Sequence, residues 1–411
     1  MRPLLCLLLF AAPLAAQSPD QFAAIKPAMQ AFVDKGELAG AVTVVGTSAG
    51  VLSLETVGFA DLEAKTPMAK DTLFRIASMT KPITALAVLM LQEDGKLSVE
   101  DPVEKYLPEF TGQRLVTTKD GGTVTLGKPK RPITLRDLLT HTSGLPSGYP
   151  AGLGDVYGRR HRTLAETTLV ISQQPLDFEP GSKWSYCNAG IDTLGRIVEV
   201  VSGVSYEGFL QARLFGPLGM ADTTFAPTVA QQKRLALTYG VKDGKLVANP
   251  TGFLTASETS KHPIPAGGLC STGPDLAKLY QCLLFDYGCR KDMQSDILAL
   301  TNNGIKRRRR VISEGVLKEM TRTQTGDIKT GFTEGMSFGF GFAVVKEPKG
   351  VTAMLSPGTF GHGGAFATQS WADPVQNLFV ILLIQRTGVP NADASIYRQT
   401  LQELAVKAAK P

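Results

Sequence analysis

Histidine is scarce in this chain, with four residues in 411. A Ser-His-Asp catalytic scheme therefore has few residues to draw on. Cysteine is little richer. One of the five, Cys6, lies in the N-terminal apolar stretch; Cys187, Cys270, Cys282 and Cys289 lack the paired spacing of a metal site, so no metal is expected. After the N-terminus no apolar run is long enough to cross a bilayer; "NLFVILLIQ" has the length of a strand. Charge of one sign is also in short supply. The net charge is +6, and the densest basic run, "KRRRR" at Lys306 to Arg310, reads as a solvated loop between helices, so no nucleic-acid partner is expected. No internal repeat is visible.

What is present is ordinary for a globular enzyme: 43% hydrophobic and 19% charged residues, with length for one large domain or two lobes. Residues 1–16, "MRPLLCLLLFAAPLAA", combine one positive charge, a short apolar stretch and small residues, the pattern of a secretory signal. The expectation is an exported protein, periplasmic or secreted, in an oxidising compartment. Cys282 and Cys289 flank a predicted helix end and are candidates for a disulfide.

Periodicity divides the mature chain. "SPDQFAAIKPAMQAFVDKG" reads as an amphipathic helix closed by Gly36, followed by strands "GAVTVVG" and "VLSLETVGFAD". Helical patterns then dominate to about Gly335: Ile83 to Glu93, Leu135 to Thr140, Ile191 to Val201 capped by Gly203, Tyr206 to Leu214, and Asp275 to Phe285. Asp-Gly turns predict hairpins in "LVTTKDGGTVTL" and "LALTYGVKDGKLVA". The tail returns to strands, "SFGFGFAVVKE", "AFATQSWADP" and "NLFVILLIQ", and ends in a helix. The fold class expected is α+β. An antiparallel sheet flanked by terminal helices (residues 17–72 and 336–411) carries an inserted, mainly helical lobe (73–335).

Three stretches carry chemistry. "RIASMTKPITALAVLML" holds the only Ser-x-x-Lys of the chain, Ser78 and Lys81, on one helical face. An apolar helix behind Lys81 would desolvate the amine and lower its pKa, letting it take the Ser78 proton. Taken alone, Ser78 reads equally as a helix cap, and Pro82 biases Lys81 away from helical angles. "EPGSKWSYCNAG" places Tyr186 and Asn188 before a helix; a phenol can relay a proton and an amide can hold an amine or a carbonyl. "GTFGHGGAFATQSWADP" places His362, Gly363 and Gly364 just before a strand, where glycines let backbone approach a ligand and the Ala365 amide can point at a carbonyl oxygen. A fourth stretch, "GTSAG" at Gly46 to Gly50, matches a nucleophile-elbow pattern, but a second strand follows, so Ser48 belongs to a hairpin turn.

In this order, the three stretches resemble the serine β-lactamase and penicillin-binding protein superfamily. The Tyr-x-Asn form is closest to class C β-lactamases, D-stereospecific peptidases and family VIII carboxylesterases. "LQEDGKLSVEDPVEKYLPEF", "ITLRDLLTHTSGLP", "LFGPLGMADTTF" and "GGLCSTGPDLAKL" extend the likeness from about Phe22 to Ala408. The resemblance implies a β-lactamase-like fold and an acyl-enzyme on Ser78, with Lys81 and Tyr186 sharing the base work. It implies that Asn188 orients Lys81 and the acyl substituent, that the Ser78 and Ala365 amides form an oxyanion hole, and that His362, Gly363 and Gly364 contact substrate. It implies no cofactor and a small-molecule ester, amide or lactam as substrate; it leaves the oligomeric state open. Where the family carries a lysine and a hydroxyl residue in its third element, this chain has His362 and Gly363, which weakens capture of a carboxylate. The expectation is a serine hydrolase of esterase type acting on small acyl esters, with D-peptidase or β-lactamase activity, or an inert binding protein, as alternatives.

Overall fold

A computed structural model of the chain describes residues 19–120, 122–147, 161–249, 260–287, 298–301, 304–307 and 311–410. The proposed signal segment, residues 148–160, Cys289 and Arg308 to Arg310 lie outside the described residues.

Helix α1 (Ile25–Asp34) is followed by β1 (Gly40–Thr47), β2 (Gly50–Asp61), β3 (Thr66–Pro67) and the short β4 (Phe74–Arg75). Then come α2 (Lys81–Glu93), the hairpin β5 (Leu115–Asp120) and β6 (Thr123–Gly127), α3 (Leu135–Leu139), α4 (Leu164–Ser172), α5 (Asn188–Ser202) and α6 (Tyr206–Leu210). A second hairpin, β7 (Tyr239–Lys242) and β8 (Lys245–Ala248), precedes β9 (Cys270–Ser271) and α7 (Gly273–Asp286). A third, β10 (Leu298–Thr301) and β11 (Gly304–Arg307), precedes α8 (Glu314–Thr321). The chain closes with β12 (Met336–Phe338), β13 (Ala343–Val345), β14 (Phe360–Gly363), β15 (Gln369–Asp373), β16 (Leu378–Leu383) and α9 (Ile396–Ala409).

Eight strands form one antiparallel sheet in the order β12-β13-β14-β15-β16-β1-β2-β3, so both chain ends build it. β1 and β16 are central, pairing Val42 with Leu383 and Val44 with Ile381. Both read as continuous apolar runs because both faces are covered. One face packs on α1 and α9 through Ile25, Phe32, Trp371 and Leu401. The other meets α7 and, beyond it, the helical segment, in a core including Val44, Leu86, Leu194 and Phe379.

α2 is the axis of the helical segment. Every residue from Lys81 to Leu91 is buried, as expected of a helix apolar on all sides. α3 and α4 begin with capping boxes, Thr134 with Asp137 and Thr163 with Glu166. α5 ends at Gly203 in the left-handed conformation, as the sequence predicts.

Several expectations need correction. "SFGFGFAVVKE" is two strands, β12 and β13, because Gly339 and Gly341 turn the chain between them. The helix from Tyr206 stops at Leu210 and continues as a π-helical turn, Gln211–Phe215. Lys306 and Arg307 end a strand, not a loop, since β10 and β11 pair. His362 and Gly363 lie within β14 rather than before a strand, because β15 pairs with them out to Gln369. Ser48, by contrast, sits where the sequence places it, in the β1–β2 turn, its amide donating to Asn377 Oδ1 at 3.0 Å.

Candidate active site

Ser78 stands in a 3-10 turn, Ala77–Thr80, that runs directly into α2. Its hydroxyl is not a helix cap; no side-chain capping bond is made there. Ala77, just before it, has φ +46°, a left-handed conformation that is costly for alanine. Surrounding structure enforces it: Ala77 packs on Ile264 and Phe366, and its carbonyl accepts the Thr80 hydroxyl at 2.7 Å. Lys81 takes helical angles despite Pro82, φ −58° and ψ −45°, which the start of a helix tolerates.

The Lys81 amine therefore points back along the first turn. Its Nζ lies 2.9 Å from Ser78 Oγ and donates to the Ala266 carbonyl at 2.7 Å. It also sits 4.6 Å from the centre of the Tyr186 ring. Lys81 has no exposed surface, and burial, opposed by Asp192 and Cys187, lowers its pKa from 10.5 to about 7. That difference is on the order of 5 kcal/mol against the ammonium form. The apolar side chains of α2 outweigh it: Ile83, Leu86, Val88, Leu89, Met90 and Leu91 are all buried, at about 1.5–3 kcal/mol each. Packing can thus hold an amine where water would not let it lose its proton.

Tyr186 hydrogen-bonds the Ser78 side chain, and burial raises the pKa of its phenol. Of the two candidate bases, Lys81 is the one whose neutral form is accessible near pH 7. The Tyr186 ring lies against His141 (4.7 Å between centres), Phe332 (5.1 Å) and Trp184 (6.3 Å).

The third element closes the site. Ser78, Tyr186, Phe332, His362, Ala365 and Asp393 line an open cleft of about 820 Å³, together with Gly363 and Gly364. Gly364 is required by a close approach: a Cβ there would lie 2.2 Å from Thr368 Oγ1 and 2.5 Å from the Ile76 carbonyl. Neither the Ser78 nor the Ala365 N–H donates to a backbone carbonyl among the described residues. Both residues line the cleft. His362 is buried, its Nδ1–H donates to the Gly363 carbonyl at 2.6 Å, and burial beside Lys81 lowers its pKa to about 4. It is a neutral imidazole, unlike the lysine that the wider family places there.

Asn188 follows Tyr186 by two residues. It opens α5 and makes no hydrogen bond to Lys81 among the described residues; the second partner of the amine is the Ala266 carbonyl. A strap holds that carbonyl. Thr84 Oγ1 donates to the Pro265 carbonyl at 2.8 Å, and Ala266 N–H donates to Asp192 Oδ1 at 2.9 Å, which clamps residues 265–266 between α2 and α5. Asp192 is wholly buried.

Sequence reasoning missed three contributors. Ala266 acts through its backbone and leaves no side-chain signature. Asp192 reads as one more residue of a helix. His141 lies in the quoted segment "ITLRDLLTHTSGLP", yet its role depends on a left-handed φ of +61° that lets Nδ1 accept the Cys187 N–H at 3.1 Å. Cys282 donates to Asp286 Oδ2 at 3.4 Å, while its suggested partner Cys289 is outside the described residues.

This geometry is that of a serine hydrolase. Residues 25–404 match the β-lactamase family, and the chain belongs to it. Esterase EstB of Burkholderia gladioli is 31% identical, over 84% of this chain and 86% of that one. Lovastatin esterase of Penicillium rubens is 32% identical, over 63% of this chain and 67% of its own. Among solved structures, unliganded simvastatin synthase (LovD) from Aspergillus terreus superposes with a TM-score of 0.74 over 95% of this chain and 98% of that one, at 21% identity.

Proposed function

We propose that the protein is a carboxylesterase that acts on small acyl esters through an acyl-enzyme on Ser78. Neutral Lys81 takes the Ser78 proton as Oγ attacks the ester carbonyl. The Ser78 and Ala365 amides receive the oxyanion. When the tetrahedral intermediate collapses, the C–O bond to the alcohol breaks, and the alkoxide takes a proton from the Lys81 ammonium, with the Tyr186 hydroxyl as relay. Water then attacks the acyl-Ser78 ester by the reverse sequence, releasing acid and restoring the hydroxyl.

The observation that carries this reading is the 2.9 Å contact between Ser78 Oγ and an amine with a pKa near 7. The ester preference is supported by His362: a neutral imidazole replaces the cation that would hold a carboxylate. It is supported as well by the esterase names of EstB and lovastatin esterase. Residues 1–16 fit an export signal, which would place the enzyme in a periplasm or outside the cell.

The test is intact-mass analysis after brief exposure to p-nitrophenyl acetate and butanoate. An adduct of acyl mass on Ser78, absent in Ser78→Ala, is expected. Acylation elsewhere, or full turnover by Ser78→Ala, rejects the reading.

A further inference from the structure

Donors and acceptors are segregated in the catalytic cleft. The donors, the Ser78 and Ala365 amides with Lys81 and Tyr186, gather at the nucleophile. The wall formed by β14 and the segment before α9 presents acceptors. His362 Nδ1 must carry the ring proton, because its partner is a carbonyl; Nε2 is then a lone pair. That Nε2 has no hydrogen-bond partner among the described residues; it is buried, so it stands behind the surface that Asp393 and Phe332 offer to the cleft.

Asp393 is held in place, and among the described residues no cation pairs directly with its carboxylate. Its Oδ1 accepts from Gln369 Nε2 at 3.1 Å, its N–H donates to Asn391 Oδ1 at 3.1 Å, and its carbonyl accepts from Arg398 Nη1 at 2.7 Å. Oδ2 accepts no hydrogen bond, and no lysine or arginine nitrogen lies within 4.0 Å of the carboxylate among the described residues. Arg398 is stacked 3.9 Å over Trp371 and wholly buried; it lines a small pocket shared with Asp393, His362 and Phe332, but not the cleft that holds Ser78. Asp393 acts electrostatically on Tyr186, His362 and Arg398, so its charge is felt within the site. No lysine or arginine lines the cleft. Gly363 makes room for the carboxylate, since a Cβ there would fall 2.2 Å from Asp393 Oδ1. Phe332, 46% exposed, adds an aromatic face at the same wall.

A carboxylate and an aromatic face, backed by a neutral imidazole rather than a cation, match one kind of group: a cation rich in N–H donors. Resting on the esterase reading above, we propose that the wall of Asp393, His362 and Phe332 is a subsite for a protonated amine, so that the preferred substrates are esters bearing an ammonium group. The same wall disfavours carboxylate-bearing substrates through repulsion by Asp393.

The test compares matched p-nitrophenyl esters at pH 7.5: β-alanine and 6-aminohexanoate esters, their methyl-ended counterparts butanoate and heptanoate, and the carboxylate-ended succinate and pimelate half-esters. In the wild type, kcat/KM for at least one ammonium ester exceeds that of its methyl-ended counterpart by about tenfold, and the carboxylate esters rank last. In Asp393→Asn that ratio falls towards one. Should the variant not fold, raising ionic strength on the wild type serves instead and shrinks the ratio. Ester turnover with an ammonium-to-methyl ratio of one or less, or a ratio that survives Asp393→Asn, removes the subsite and leaves the esterase reading intact. Failure of every ester to acylate Ser78 removes the esterase reading and the subsite with it.

Discussion

Lys81 and Arg398 are both cations without exposed surface, 0% and 1%, and both lie against an aromatic ring, Tyr186 and Trp371. Burial lowers the pKa of each, to about 7 for the lysine and about 10 for the arginine. The outcomes differ because of where each begins. An amine brought to 7 exchanges its proton under ordinary conditions; a guanidinium brought to 10 keeps its charge. In the proposed mechanism the first residue serves as the base; the second is a fixed structural cation whose Nη1 holds the Asp393 carbonyl and whose Nε donates to Gln402 Oε1. Equal burial gives chemistry in one place and architecture in the other.

The comparison breaks most sharply if the amine is made into a guanidinium. Lys81→Arg, like Ser78→Ala, is expected to lower kcat/KM on short-chain esters by at least about 10³, because neither variant has the activated hydroxyl. A Lys81→Arg enzyme within tenfold of the wild type would show that no neutral amine is needed.

Stability sharpens it next. The folded-state pKa of Lys81 lies below its ordinary value, so burial of its ammonium destabilises the fold fully below pH 7. The cost is relieved as pH rises from about 7 towards 10.5, where the unfolded chain binds the extra proton. Lys81→Met removes the charge and keeps the volume. It is expected to raise stability towards urea at pH 6 by up to several kcal/mol, with the gain shrinking above pH 8. A gain that does not change with pH would contradict the assignment.

Asp192→Asn tests the strap. Asparagine keeps an acceptor for the Ala266 N–H but loses the negative charge that raises the Lys81 pKa. The acidic limb of the kcat/KM profile is expected to move down by about one pH unit. Asp192→Ala, which also loses the acceptor, is expected to lower kcat as well, whereas a merely structural residue would leave the limb where it is.

Arg398→Met carries the smallest effect. Loss of desolvation cost and loss of the Trp371 stack oppose each other, so denaturant stability is expected to change by about 1–2 kcal/mol at most. Because Arg398 stays charged up to about pH 10, that change is expected to be constant from pH 5 to 9, unlike that of Lys81→Met.

What could be read from sequence was local. Ser78 and Lys81 are three residues apart on one turn, and the apolar run after them foretells burial of the amine. Strand runs such as "NLFVILLIQ" carry their burial in their composition. Contacts across the chain could not be read. The Ala266 carbonyl that holds Lys81 is 185 residues away and has no side-chain signature. β14 was hidden because Phe360–Gly363 is half glycine and gains its extended form only by pairing with β15. α4 was overlooked although Thr163 and Glu166 spell a capping box, because apolar residues there show no clear stripe. The resemblance pairs Asn188 with Lys81; among the described residues the hydrogen bonds of the amine go to Ser78 Oγ and the Ala266 carbonyl.

In the proposed mechanism an uncharged Lys81 activates Ser78. The rate of Ser78 acylation by p-nitrophenyl butanoate in single turnover, followed from pH 5 to 9, reads this directly. A one-proton rise, half complete near pH 7, is expected. A rate that is flat across that range would contradict it.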